Sequence, residues 1–434
     1  MLFTAGSRSW IVLIMVFMLA MTLPASINAK TWTIEDFFQH RPDVRDNISK
    51  WSGQTDPEWI LREWIKITYE RGDDYHLAIA ILNGTQQPDS GSPPQPGSIE
   101  QPSDGFAKPS QPVAGFVRPA DDNGWGIHWF PTVSQSKEEV DRFVSIINGL
   151  HIKWVLFLNP GTDLHANEHL VDSLVKLGIM PVMRLYYSTI TAPSSDEIRQ
   201  TRELAEYYTR RGVQYFQIYN EPNLPCEWEG NRLPENSIAR WAEAFVPRAR
   251  AIIEGGGIPG IGGPAFGYIK TDGSYGNGSE YFRQMTGELV NKGHKDLLAR
   301  CVVVIHNYTT DSHPSDQAQT EKYWQFATYQ AILAEHGLLL PMIGGEGGTR
   351  PEDVGGNMSK LADNVFWCYE HMATAPDYYM SFAHWLLAAP EGNEWRRHAM
   401  FDSNGSPLQK ELIEKMRTAR PRARGSSRTN AQGN

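Results

Sequence analysis

The sequence predicts an α/β fold: a (β/α)8 TIM barrel, preceded by a small helical module on a Pro/Ser/Gly-rich linker. Three observations lead there. Apolar runs of strand length recur eight times between residues 124 and 390. Amphipathic helical patterns fall between most of them. The span, about 300 residues, is the size such a barrel needs. A doubly wound open sheet is the competing architecture, but it usually carries a glycine-rich phosphate turn after its first strand, and "GIHWFPT" (126–132) is not one.

In chain order, the first strand is "GWGIHWF" (124–130). The helix after it, 136–150, opens on a capping box of Ser136 and Glu139 and aligns Val140, Phe143, Val144 and Ile147 on one face. "HIKWVLFLNPG" (151–161) is the second strand, with a helix over 164–177. "GIMPVMRLYYS" (178–188) is the third, with a helix over 195–211. "VQYFQIYNEPN" (213–223) is the fourth, and "GIPGIGGPAFG" (257–267) a weaker fifth. "CVVVIHNY" (301–308), "LLLPMIGGEGG" (338–348) and "YMSFAHWLLAAP" (379–390) complete the set. Leu361, Val365 and Tyr369 mark the helix after the seventh strand.

The flanks differ in character. Residues 1–29 read as an export signal. Arg8 supplies charge, "WIVLIMVFMLAMTL" (10–23) is an apolar core short for a membrane span, and cleavage is expected after Ala29. Ile27, three residues before the cut, leaves a retained anchor as the alternative. Residues 30–84 read as the helical module, with Trp59, Ile60, Trp64 and Ile67 on one helical face. Residues 85–120, rich in Pro, Ser, Gly and Gln, form a disordered linker. Residues 121–418 are the barrel domain, and 419–434 a basic, disordered tail. A linker behind an export signal suits a secreted enzyme held off a surface, with the module as the point of attachment.

Composition narrows the partners. The formal net charge of −10 over 434 residues argues against nucleic acid. Three widely spaced cysteines give neither a disulfide framework nor a zinc pattern. Nothing in the chain calls for a cofactor or metal, and a monomer is expected.

The chemistry is sought where barrels of this kind keep it, at the C-terminal ends of the strands. Glu221 ends the fourth strand and Glu346 the seventh. The glycines around Glu346 (344, 345, 347 and 348) let a bulky ligand or neighbouring backbone come close. Glu227, Glu229, Asp311, Glu352, Asp353 and Glu391 lie in the loops beyond, less well fixed. Two carboxylates across a barrel mouth suit glycosidic bond cleavage: one protonates the leaving oxygen, and the other attacks the anomeric carbon or activates water. Asn220, beside Glu221, suits a sugar hydroxyl.

"YNEPN" closing the fourth strand, with a glutamate on the seventh, resembles clan A of the retaining glycoside hydrolases; "NEPNLP" is similar to members acting on xylosides, iduronides or bacterial exopolysaccharides. The resemblance covers roughly residues 124–418. It implies that Glu221 is acid/base, Asn220 binds the sugar 2-hydroxyl and Glu346 is the nucleophile, with the carboxyl groups about 5 Å apart. It also implies that His306 and Tyr308 on strand six touch the nucleophile, and that Trp385 on strand eight floors the sugar site. The clan often has an arginine near strand two; that strand here offers Asn159. Arg184 on strand three bonds a carboxylate if it faces inward. His128, Trp129 and Tyr186, with Trp228 and Trp395, are further candidates against substrate or in the packing. The expected function is a metal-independent retaining O-glycosyl hydrolase of poly- or oligosaccharides. The alternatives are a non-catalytic carbohydrate-binding barrel, or a metal-assisted hydrolase using His128, His306, Glu221 and Glu346.

Overall fold

In the computed structural model, residues 33–42, 45, 55–58, 60–61, 116–271, 273–317 and 320–424 are described. The chain divides into two units, residues 1–106 and 107–434. The export segment, most of the linker, Trp59, Trp64, Ile67 and the last ten residues of the tail lie outside the described residues. In the first unit, helix α1 (Ile34–His40) starts on a capping box of Thr33 and Asp36 and buries Phe37 and Phe38. Of the helical face expected around residue 60, Ile60 is buried.

The second unit is a closed barrel of eight parallel strands. These are β1 (Trp125–His128), β2 (Trp154–Pro160), β3 (Met180–Tyr186), β4 (Tyr215–Ile218), β5 (Ile258–Gly262), β8 (Val302–Thr309), β9 (Met342–Thr349) and β10 (Tyr379–His384). A short antiparallel hairpin, β6 (Gly267–Ile269) and β7 (Tyr275–Asn277), interrupts the weak fifth unit. The fifth barrel strand carries little strand pattern because it is built of glycine and proline around two isoleucines, IPGIG. Parallel strands need crossover helices, and the amphipathic segments supply them. α2 (Lys137–Asn148) starts on the expected Ser136–Glu139 capping box, and α4 (Ser195–Arg210) on a Ser194–Glu197 box. α9 (Met358–His371) buries Leu361, Val365 and Tyr369.

Strand parity sorts the apolar residues into two layers, because successive side chains point to opposite faces. One set fills the lumen: Trp154, Leu156, Met180, Val182, Tyr215, Val302, Val304, Ile343 and Met380. The alternate set, with Val155, Phe157, Met183, Phe216, Val303 and Ile305, packs against the helices. Arg184, two residues beyond Val182, and His306, two beyond Val304, therefore continue the lumen rows toward the barrel mouth.

The opposite end is closed by both flanks of the domain. The Tyr215 hydroxyl donates to the Val117 carbonyl at 2.5 Å, and Trp154 Nε1 to Asp122 Oδ1 at 2.7 Å. Arg424 corrects the expectation of a free basic tail. Its guanidinium donates to the carbonyls of Ala375, Pro376 and Tyr379, and its backbone N–H to Asp122. A buried arginine with several carbonyl acceptors is held in place, so the ordered chain runs at least to residue 424.

Candidate active site

Glu221 stands three residues past the end of β4. The turn is made by Tyr219, whose φ of 62° lies in the left-handed region that a bulky residue rarely adopts. Its hydroxyl fixes it there, donating to Thr191 O at 2.9 Å and accepting from Arg248 Nη1 at 2.6 Å. Asn220 then passes so close to β5 that a Cβ on Gly262 would lie 2.2 Å from its carbonyl oxygen, which only glycine tolerates. Beyond Glu221 the loop is tied down. Trp228 Nε1 and the Tyr281 hydroxyl both donate to Pro222 O at 2.9 Å. Asn223 exchanges two 2.8 Å hydrogen bonds with the backbone of Ala265.

Glu346 is aimed by a β-bulge. Val304 pairs with Ile343 and Ile305 with Gly344, but His306 pairs with Glu346, so Gly345 is an extra residue in β9. Without it, residue 346 would fall in the outward phase and point at the helices. A Cβ on Gly345 would sit 2.6 Å from Val304 Cγ1. Gly344 and Gly347 meet backbone, the Ser381 carbonyl and that of Asn307, and Gly348, at a φ of 92°, meets the His384 ring. The glycine cluster thus accommodates neighbouring strands.

The two glutamates meet at one imidazole. His306 Nδ1 lies 2.7 Å from Glu221 Oε1, and His306 Nε2 lies 3.7 Å from Glu346 Oε1. Arg184 Nη1 donates to Glu346 Oε1 at 2.8 Å, and the Tyr308 hydroxyl to Oε2 at 2.9 Å. Arg184 faces inward as parity requires, and the carboxylate it bonds is that of Glu346. Its Nε is held by Gln217 Oε1 at 3.1 Å.

These neighbours set the charges. Burial would raise the Glu346 pKa, but His306 and Arg184 outweigh it and hold the carboxyl down, at about 2. Burial would lower His306, yet Glu346 and Glu221 on its two sides push it up. Tyr308 is pushed well up by burial and then by the charge of Glu346, so it stays a hydroxyl donor. His128 is pushed well below the usual histidine range by burial and then by Arg184, and is neutral.

The rest of the cleft carries unspent polar groups. Both ring nitrogens of His128 and the indole nitrogen of Trp385 are buried without a partner in the protein. The two rings meet edge to face at 4.4 Å between centroids. Trp395 packs against Trp385 at 5.5 Å. Asn220 Oδ1 is likewise buried and unpartnered.

Four candidates fall elsewhere. Trp129 is 1 % exposed, bonds Gln135 Oε1 at 2.7 Å and packs on Phe130 and Phe143. It is core beneath α2, as Trp228 is core beneath the loop after β4. Asn159 is fully buried and spent on its own loop. Its amide donates to Gly161 O and Asp163 O at 3.0 Å, and its oxygen accepts from Asn167 at 2.9 Å. Tyr186 is 52 % exposed at the end of β3. Two residues were missed. Gln217 steers Arg184, and its signal was present: a polar residue in the inward phase of a buried strand. Glu227, set aside as a loop residue, has its carboxyl pushed up by burial and then by the charge of Glu221 nearby. Among the described residues no group of three His, Cys, Asp or Glu side chains has the arrangement to hold a metal ion.

No family model matches the chain, and no curated protein matches it. Similar solved structures include a family 39 glycoside hydrolase from Bacteroides cellulosilyticus WH2, at 12 % identity and a TM-score of 0.46 over 69 % of this chain and 64 % of that one. A Bacteroides uniformis β-glucuronidase 2 matches at 10 % identity and 0.45, over 69 % of this chain and 35 % of its own. An endo-1,4-β-mannanase from Rhizomucor miehei matches at 10 % identity and 0.44, over 67 % and 93 %. This chain thus spans less than two thirds of the first of these and about a third of the second. At these identities and scores, no activity is assigned to it by likeness.

Proposed function

We propose that the protein is a retaining O-glycosyl hydrolase acting on a poly- or oligosaccharide. One observation carries the reading: two glutamates at the ends of different strands converge on a single imidazole at the barrel mouth, one hydrogen-bonded to Nδ1 at 2.7 Å and the other 3.7 Å from Nε2, in unlike surroundings. Glu346, bonded by Arg184 and Tyr308, is kept ionised and is the nucleophile. Glu221, whose carboxylate is bonded among the described residues by His306 alone, at 2.7 Å, is the proton carrier.

In the first step a Glu346 oxygen attacks the anomeric carbon, the glycosidic C–O bond breaks, and Glu221 gives its proton to the departing oxygen. In the second, Glu221 takes a proton from water, whose oxygen displaces Glu346 and releases the sugar. Tyr308 and Arg184 stabilise the Glu346 carboxylate as it leaves. Neutral His128, the Trp385 indole and Asn220 offer the sugar hydroxyls partners that the protein itself leaves unfilled. An export signal over residues 1–29 and attachment through the N-terminal module accord with a polysaccharide met outside the cytoplasm, and a monomer suffices for the site.

Azide separates the two roles. Glu346→Ala loses the nucleophile; azide filling the gap gives a glycosyl azide of inverted configuration. Glu221→Ala loses about 10²- to 10⁴-fold on poor leaving groups. On aryl glycosides it accumulates the intermediate, and azide then gives the retained product. Wild-type turnover of aryl glycosides by Glu346→Ala would refute the nucleophile assignment, and the opposite stereochemistry in both variants would exchange the roles.

A further inference from the structure

A buried charge that the reaction does not touch lies behind the turn that carries Glu221. Arg248 belongs to helix α5 (Ser237–Glu254) and is 1 % exposed. Among the described residues the one carboxylate it pairs with is Glu197, at 3.4 Å, whose side chain is 43 % exposed. Burying a guanidinium against so distant and so solvated a counter-ion is unfavourable, so its other contacts must offset the burial.

Those contacts converge on Tyr219. Nη1 donates to the Tyr219 hydroxyl at 2.6 Å and to Thr191 O at 2.8 Å. The guanidinium lies over the Tyr219 ring, 5.4 Å from its centroid, and over the Tyr187 ring at 4.5 Å. The Tyr219 hydroxyl donates onward to Thr191 O at 2.9 Å. At the other end of the residue, Gln217 Nε2 donates to the Tyr219 carbonyl at 2.9 Å. Tyr219 is thus gripped by hydroxyl and carbonyl alike, in a left-handed conformation, φ 62°, that a bulky side chain leaves when it is released. Glu221 follows two residues later. Asn220, between them, is pressed against β5 at Gly262 and has little room to absorb a change. The loop after β3 that supplies Thr191 also holds the far side of Glu221, where Ile190 N–H donates to Glu227 O at 2.7 Å.

We propose that Arg248 is a positioning residue for the proton carrier: by holding the Tyr219 hydroxyl against Thr191 it keeps the turn left-handed, and so sets where Glu221 meets the departing oxygen. The role of Glu221 rests on the glycosidase reading; the clamp on the turn does not.

The test uses Tyr219→Phe, Arg248→Met and Arg248→Lys in the full chain. A panel of aryl xylosides, mannosides and glucuronides first finds the sugar that the wild type cleaves. Phenyl and dinitrophenyl glycosides of that sugar then separate positioning from folding, because the phenyl leaving group needs a proton and the dinitrophenyl group does not. In Tyr219→Phe, kcat/KM should fall about 10- to 100-fold on the phenyl glycoside, the loss expected when a catalytic group is displaced by about an ångström. On the dinitrophenyl glycoside it should stay within about threefold of wild type, since no proton is asked of Glu221. Arg248→Met should show the same split more strongly, and Arg248→Lys, which keeps a donor, should recover part of it. A variant that merely folds poorly loses both substrates alike, so equal losses on the two, or none on either, would refute the positioning role. A crystal structure of Tyr219→Phe, the gentlest variant, should show residue 219 relaxed from its left-handed φ or the Glu221 carboxyl withdrawn from His306. An unmoved turn and carboxyl would overturn the proposal whatever the activity. A wild type that cleaves no aryl glycoside would refute the glycosidase reading and leave the crystal structure to decide the clamp.

Discussion

Replacing Arg184 by methionine should expose how Glu346 is kept charged. Methionine has similar reach and suits the apolar lumen beside Leu156 and Val304. The Arg184 and Glu346 side chains are only 6 % and 10 % exposed, and their contact is 2.8 Å. Removing one partner of a buried ion pair costs about 3–5 kcal/mol, because the remaining charge is left uncompensated. The lower figure applies here, since Tyr308 and His306 still face Glu346. Gln217 also loses a donor. The sign with pH follows from the depressed pKa. A carboxyl at about 2 in the folded protein, against about 4.3 unfolded, contributes stability that is fully present above the unfolded value. That contribution is lost as pH falls toward the folded one. The gap between wild type and Arg184→Met should therefore be about 3 kcal/mol near pH 7 and narrow below about pH 4.3. Guanidinium denaturation followed by tryptophan fluorescence at pH 7, 5 and 4 measures it. A variant within about 0.5 kcal/mol of wild type at pH 7, or a gap that widens on acidification, would refute the argument.

Two further outcomes are expected. Tyr308→Phe removes the hydroxyl bonded to Glu346 Oε2 while keeping the ring, and should lower kcat about 10- to 100-fold with little change in melting temperature; undiminished turnover would deny Tyr308 a part in the reaction. A barrel fragment of residues 116–418 should be about 2–4 kcal/mol less stable than 116–424, because the carbonyls capped by Arg424 lose their donor; equal denaturation midpoints would show that the clasp contributes nothing.

Much of the barrel was legible in the chain. Each parallel strand is buried on both faces and reads as a continuous apolar run, and each crossover helix shows its own 3.6-residue period. The count of strands, and with it Glu221 on the fourth and Glu346 on the seventh, followed from those periods. Double burial also hid things. With apolar residues on both faces, alternation does not say which face is the lumen, so the inward aim of Arg184 stayed open and Gln217 passed unnoticed. Trp129 and Asn159 sit near strand ends like true site residues. Only the packing of α2 and the β2–α3 loop (α3, Glu168–Lys176) shows that their polar atoms are spent locally. The aim of Glu346 depends on Gly345 being bulged, which is a property of the pairing between β8 and β9. The fourth-strand motif placed Glu221 and Asn220 together; what they touch was decided by chain distant in sequence or by a loop fold that carries no period. His306 reaches Glu221 from 85 residues away. Periodicity reports the faces of regular elements, whereas a site is made where irregular chain from several elements converges.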